Sequence, residues 1–518
     1  MKSIRILLAI VFICISNLLF AQATFQRTYG GADYDVCNSV QQTSDGGFVM
    51  AGITQSFGAA DTGDIYVIKT DVSGDTMWTR TYGGINYEEV TQVLQTSDGG
   101  YILIGSTKSF GAGSFDIYLI KTDLNGILLW SKTYGGVQEE RGRSIVQTPD
   151  GGYAFIGHIW KGGYFNVYLN RTDDSGNLLW SKVFDAFLSF TATNIIKTND
   201  NGFLCMGYAL NATTQIYLIK ADSLGNISWT KSYGGVGGAG SFAFFLRQTF
   251  DGGYAIAGTS AIFGAGGNDF YLFKIDVNGN VLWSKTYGGI GDDYCYTAKQ
   301  TDDGGFIMTG HSFSFAGGNG SVYLIKTDSS GNLSWSKIYT GLAGYSARSI
   351  DKITNGGYII AGTYGFGAGN NDMLLIRTDS IGASGCNEAN VTSIVNTPST
   401  QLENHLLSDT LGSGVVLTSA TSVGSGAILG NPCPVGIYDL PTILPITITP
   451  NPFTTSLTIN QTSSLGELTL IEISGKEILK QKTEEGNTTI NTSFLTPGFY
   501  ILHYNENNKT AYFKLTKY

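Results

Sequence analysis

Four acids recur at one offset: Asp35, Glu88, Glu140 and Asp293 each stand five residues after the first glycine of a Gly-Gly pair. Tyr34 and Tyr87 precede the first two. Four further acids, Asp64, Asp116, Asp269 and Asp372, close Gly-rich stretches such as SFGAGSFD, which ends at Asp116. Carboxylates supply the oxygen ligands that a hard cation needs. Beside aromatic faces and amides they also orient sugars. The chemistry such a set offers is a polysaccharide site; no cofactor is expected, and calcium is the one these residue types would admit. The opposing reading is that each acid bonds the amides of its own loop. Phe190, Ala239 and Tyr345 stand near that offset elsewhere, so a site built on the acids would be lopsided.

Little else in the chain is suited to catalysis. His158, His311, His405 and His503 are far apart in sequence and have no metal-ligand spacing. No nucleophile–base spacing and no phosphate-cradling loop before a helix is present, and the many Gly-Gly pairs are turn chemistry. The formal net charge is −10 with no run of Lys or Arg, which argues against nucleic acid and anionic membrane as partners.

The elements that would position the acids repeat at a period near fifty residues. An Asp-Gly-Gly turn or its variant occurs seven times, beginning at Asp45, Asp98, Asp150, Asp200, Asp251, Asp303 and Asn355. A basic residue closes an apolar run in each unit, as Lys69 and Lys121 do, and a TYGG element or its relic follows. Six units carry a Trp in phase, from Trp78 and Trp130 to Trp335. Each unit reads as four strands, with Asp-Gly marking the first hairpin. The second and third strands are apolar at nearly every position, which requires cover on both faces. Radial stacking of four-stranded sheets supplies that cover.

The last unit ends at Asp379 without a Trp-bearing strand, and residues 24–29 form an orphan fourth strand with Phe25 in the Trp position. Pairing the two gives an all-β, seven-bladed β-propeller over residues 24–383, closed by the N-terminal strand. First strands would line the channel, and Gln42, Gln95, Gln147, Lys197, Gln248 and Gln300 near their ends predict a polar, nearly uncharged lining. The repeated Trp residues are expected to fill gaps between blades.

Residues 1–23 have Lys2 and Arg5, an apolar run from Ile6 to Phe20, then Ala21 and Ala23, the pattern of a secretory signal peptide. No later stretch is long and apolar enough to span a membrane as a helix. Five cysteines remain beyond it, an odd number for an exported chain. Cys37, Cys205 and Cys295 fall in the repeats, and Cys386 with Cys433 is the expected disulfide. Residues 384–440, rich in Ser, Thr and Gly, read as a linker. Residues 441–518 read as a small Ig-like β-sandwich.

That tail carries Pro450-Asn451-Pro452-Phe453, Gly475-Lys476, Pro497-Gly498-Phe499-Tyr500 and Lys514-Leu515. In this order the motifs resemble the C-terminal sorting domain, type A, of type IX secretion cargo in the Bacteroidetes group. One departure is Ile473, where that family commonly has Asp two residues before the Gly-Lys pair. The resemblance implies passage across the inner membrane by the signal peptide. It further implies passage across the outer membrane by the type IX machinery, then release or attachment at the cell surface. Pro450, Asn451, Pro452, Gly475, Lys476, Gly498, Tyr500 and Lys514 would carry the sorting signal. The repeats resemble uncharacterised DGGY/KTD/W propellers attached to such tails, a family that implies a fold and no activity. Asp123-x-x-Gly126-x-x-x-Trp130 resembles the Trp-docking motif of quinoprotein propellers, with one residue fewer before the glycine.

The expected function is a secreted or surface-held, non-catalytic propeller that binds a polysaccharide or a surface protein, or serves as a scaffold. The competing expectation is an exported enzyme, glycan-active or quinoprotein-like, working on the rim where the Gly-rich loops and the recurring acids are expected to gather.

Overall fold

The computed structural model describes residues 24–518 apart from 60–61, 186–188, 211–214, 235–239, 316–319, 341–343, 355, 366–369, 405–407, 412–414, 419–421, 425–427, 431–445, 450–452, 462–465, 473–476, 484–486, 507–508 and 518. The expected signal peptide, Cys433, Pro450, Asn451, Pro452, Gly475 and Lys476 lie outside the described residues. Two compact units divide the chain, residues 1–433 and 434–518. No helix among the described residues is long and apolar enough to cross a membrane.

The first unit is built of seven five-stranded antiparallel sheets. In the first sheet, Asp35–Gln42, Phe48–Thr54, Asp64–Thr70 and Thr76–Gly83 pair in chain order. The next five sheets repeat the plan, with first strands Glu88–Gln95, Glu140–Gln147, Ser189–Lys197, Ser241–Gln248 and Asp293–Gln300. The seventh takes three strands from Tyr345–Lys352, Tyr358–Tyr364 and Asp372–Thr378. Its fourth is the N-terminal strand Phe25–Gly30, in register Phe25↔Arg377 to Tyr29↔Met373. Phe25 and Tyr29 are buried there.

Neighbouring sheets share cores and a repeated set of hydrogen bonds. The Tyr of each TYGG element donates to a turn carbonyl of the next sheet: Tyr82 to Gly126 O and Tyr134 to Gly176 O, both at 2.6 Å. Tyr29 makes the same bond to Gly74 O (2.6 Å), which joins the seventh sheet to the first. The Trp residues fit the gaps as expected, Trp78 meeting Tyr101 of the next sheet edge-on at 5.8 Å. At the other end of the first strands, Gln95 Oε1 accepts from Ser44 N (2.8 Å) and Gln147 Oε1 from Ser97 N (2.9 Å). Gln42 Oε1 accepts from Thr354 N (2.8 Å), again joining first and seventh sheets.

Residues 384–433 belong to the first unit, and the linker expected over 384–440 is a belt where it is described. Seven short strands lie along it, and each adds to the outer edge of one sheet. Glu388–Asn390 joins the sixth sheet, and the series runs backwards through Ser422–Gly424 on the first to Ile428–Gly430 on Phe25–Gly30. The physical reason is edge pairing. A fourth strand leaves a row of unpaired backbone groups, and a three- or four-residue strand is enough to cover it. Cys386, at the start of the belt, is disulfide-bonded; Cys37, Cys205 and Cys295 are buried free thiols.

The second unit has a three-stranded and a four-stranded sheet. Leu457, Ile459, Leu468, Leu470, Tyr500 and Leu502 form its core with Phe453. Tyr500 OH donates to Thr496 O (2.7 Å). Gly498 opens the strand Gly498–Glu506, whose Ile501 pairs with Lys514.

Candidate binding cavity

The acids singled out by their offset are not at a surface. Asp35, Glu88, Glu140 and Asp293 are each fully buried at the start of a first strand. Each meets an acid that begins a third strand, across the first glycine of the Gly-Gly pair. A Cβ placed on Gly288 would lie 1.8 Å from Asp269 Oδ1 and 2.6 Å from Asp293 Oδ2. Gly30 stands likewise between Asp372 and Asp35, Gly83 between Asp64 and Glu88, and Gly135 between Asp116 and Glu140. Glycine at these places is what lets two carboxyl groups share the space. The acids therefore stand in pairs at four sheet junctions. Among the described residues no group of three or more His, Cys, Asp or Glu comes together to hold a metal.

The amides of nearby loops bind these acids, in line with the loop-bonding reading. Gly31 N donates to Asp35 Oδ2 (2.7 Å) and Gly289 N to Asp293 Oδ2 (2.8 Å). Hydroxyls add to this: Ser56 and Ser314 donate to the same two oxygens at 2.7 Å, and Thr107 Oγ1 donates to Glu88 Oε1 (2.7 Å). Glu140 differs. Its cross-strand partner is Ile159 where the others have Thr54, Thr107 or Ser312. Among the described residues Gly136 N alone donates to it, at 3.2 Å to Oε2; its Oε1 is buried without a hydrogen bond, as is Oδ1 of Asp35 and of Asp293. Burial, with Asp116 adding repulsion, pushes the Glu140 carboxyl up to about 7. Burial likewise raises Asp269 to about 6 and lifts Asp35, Asp116 and Asp293 above the usual carboxylate range.

Tyr34 and Tyr87, in contrast, line a cavity of about 870 Å³. First strands from all seven sheets contribute to it. Every first strand has a register shift at the same place, between Cys37 and Ser39 in the first sheet and between Ala347 and Ser349 in the seventh. The extra residue of a bulge is left out of the ladder and its side chain is re-aimed. Here all seven extra residues line the cavity. Asn38, Thr91 and Thr193 are small and bond neighbouring carbonyls, as Asn38 Nδ2 does with Val90 O at 2.9 Å. Arg143, Phe244, Tyr296 and Arg348 are large.

The large four are unevenly placed. Phe244 and Tyr296 sit 5.9 Å apart between ring centroids, and Tyr208 lies 6.3 Å from Phe244. The Arg348 guanidinium stands over Tyr296 at 5.8 Å. Arg143 comes from the third sheet, with its Nε buried and without a hydrogen bond. Arg247 also lines the cavity. Among the described residues no carboxylate pairs with Arg143, Arg247 or Arg348, whereas the lining Glu89 pairs with Arg141 (3.3 Å) and Lys299 with Asp351 (3.1 Å).

This lining departs from the nearly uncharged one expected. Of the residues named for it, Gln147 lines the cavity. The glutamines instead brace turns, as Gln95 Nε2 does with Gly99 O (3.2 Å). Sequence reasoning missed the bulge residues, although a signal exists. Each second strand carries one glycine in phase: Gly52, Gly105, Gly157, Gly207, Gly258, Gly310 and Gly362. A Cβ on Gly52 would lie 1.8 Å from Val36 O, and all seven glycines meet a carbonyl of the bulged strand in this way. A glycine inside a strand marks such close backbone approach.

Residues 447–517 match the family described as the secretion system C-terminal sorting domain. The chain is thereby cargo of the type IX secretion system of Bacteroidetes, secreted or held at the cell surface. No curated protein sequence matches it. Among solved structures it is similar to Sqt1 of Chaetomium thermophilum, at 13% identity over 72% of this chain and 88% of that one, with a TM-score of 0.40. It is also similar to PorZ, a surface component of the type IX secretion system of Porphyromonas gingivalis, at 10% identity and a TM-score of 0.39. That match covers 94% of this chain and 59% of PorZ. NanB sialidase of Streptococcus pneumoniae follows at 10% identity over 69% of each chain, with a TM-score of 0.36. None of these likenesses is close enough to carry an activity to this chain.

Proposed function

We propose that the first unit is a closed seven-bladed propeller, and that the exported protein is a non-catalytic binding module working through the cavity at its centre. The observation that carries this reading is the lining: seven first strands, each bulged at one level, turn their extra residues into one space of about 870 Å³. That volume suits a small-molecule or oligosaccharide site. Closure is supported by the bonds from Tyr29 to Gly74 and from Thr354 to Gln42, the same two bonds that join the first sheet to the second and the second to the third. The lining offers guanidinium groups, amides, hydroxyls and aromatic rings, groups that hold a ligand and orient it. The polysaccharide or surface-protein partner belongs to this cavity in our reading, and the buried acid pairs have a structural role.

The test is an array of glycans and host surface proteins probed with the purified chain, followed by product analysis of whatever is retained. Retention of one ligand class without turnover is the expected result. Cleavage of the retained ligand, or retention of nothing, would overturn the reading.

A further inference from the structure

We infer that the cavity takes a carboxylated saccharide, with a sugar ring on the Phe244–Tyr296 ledge and its carboxylates on Arg348 and Arg143. The inference rests on the binding-module reading and names the ligand class for the same site.

Three observations lead to it. First, the chain is acidic, with a formal net charge of −10, yet three arginines that no described carboxylate pairs with project into this one space. The lining Glu89 is paired with Arg141, so the unpaired charge on the wall is of one sign, and such a wall focuses its field on a ligand of the other sign. An arginine fork recognises a carboxylate through two parallel hydrogen bonds, and Arg143 Nε already lacks a partner while buried. Second, the aromatic bulge residues stand side by side, while the lining Tyr34 and Tyr87 precede the first strands of the first and second sheets. Tyr208, Phe244 and Tyr296 come from the fourth, fifth and sixth sheets, and Arg348 from the seventh continues the row over Tyr296 at 5.8 Å. A pyranose presents an apolar face to such rings while its hydroxyls point sideways. Third, the remaining bulge residues, Asn38, Thr91 and Thr193, are short and polar. They leave the space open and supply hydroxyl and amide partners for a sugar edge. An apolar carboxylate such as a fatty acid would desolvate these groups without satisfying them.

The bulges tie the set together. Each large residue stands at the one position per first strand that is free of the ladder, so the side chain can change without disturbing the sheet. That freedom explains why the position holds Asn, Thr, Arg, Thr, Phe, Tyr and Arg in turn while the glycine opposite it stays the same.

Calorimetry on the full chain tests the inference with three probes: oligogalacturonate, the same oligomer with its carboxyls reduced to alcohols, and a short single-stranded oligodeoxynucleotide. The expected order is oligogalacturonate bound at least about ten-fold more tightly than either control, the loss of one charge-assisted contact being of that size. Arg348→Gln and Arg143→Gln should each weaken oligogalacturonate about ten-fold or more. Tyr296→Ala should weaken the acidic and the reduced oligomer alike, and Tyr296→Phe should bind as wild type does. Equal binding of the reduced oligomer would overturn the carboxylate assignment while leaving the binding-module reading intact. Equal binding of the oligonucleotide would make the site a general polyanion trap and overturn the saccharide. Binding that is unchanged in the Tyr296→Ala, Arg348→Gln double variant would remove the ligand from this cavity altogether.

Discussion

Replacing Glu140 by Gln should stabilise the protein at neutral and alkaline pH. Glu140 is buried beside Asp116, has Gly136 N as its one backbone donor, and faces Ile159 where its counterparts face hydroxyls. Its folded-state value near 7 lies above the ordinary 4.5, so the folded chain holds this proton more tightly than the unfolded chain. Stability is therefore greatest below about 4.5 and falls as pH rises toward about 7. A ten-fold tighter hold on a proton corresponds to about 1.4 kcal/mol, so the rise sets an upper limit of about 3 kcal/mol for this one group. Solvent reaching the junction lowers the figure from that limit. Glutamine keeps the shape, carries no charge, and can donate to Asp116. The assay is urea unfolding of wild type and Glu140→Gln at a series of pH values across that window. The difference between the two should grow with pH in favour of the variant, reaching about 1–3 kcal/mol, and should vanish at acid pH. A difference that is flat with pH, or a variant weaker than wild type at alkaline pH, would refute the argument.

Deleting residues 24–31 should leave the seventh sheet with an open edge and remove buried Phe25 and Tyr29, each worth roughly 3–5 kcal/mol by analogy with large-to-small core changes. Light scattering and thermal melts should show aggregation and a lower Tm, and an unchanged, monomeric melt would contradict closure. The belt should act as a clasp: mild reduction, or Cys386→Ser, should raise amide exchange along the outer strands such as Leu128–Gly135 and leave the first strands protected. Peptide mapping of the oxidised chain should recover Cys386 joined to Cys433. Deleting residues 441–518 should leave the first unit folded inside the cell envelope, with fractionation of the native host showing loss of surface and medium protein.

Much of the fold was legible because it is repeated. The Asp-Gly-Gly turns, the closing Lys or Arg and the TYGG element set the strand order, and the orphan strand at Phe25 pointed to its partner near Arg377. The belt was not legible. Strands of three or four residues, such as Ile394–Asn396 or Ser422–Gly424, are too short to show alternation, and the Ser, Thr and Gly around them read as linker. The candidate site was half legible. Tyr34 and Tyr87 do reach the cavity, but an offset shared by four acids cannot distinguish a rim from a junction. Glycines 30, 83, 135 and 288 let the acids meet in pairs, and only the three-dimensional neighbours that a Cβ there would strike reveal it. The bulge residues share no type, so repetition hid them, and only the constant glycine opposite marked the place.

The most direct test of the account fills the cavity from within. Thr91 and Thr193 stand at bulges, line the cavity and are replaceable without touching the ladder. A Thr91→Trp, Thr193→Trp double variant gives up the hydroxyl bonds to Ile104 O and Met206 O, should stay folded, and should lose the ligand that the wild-type protein retains. Full retention of that ligand by a folded double variant would contradict the central claim that the protein binds through this cavity.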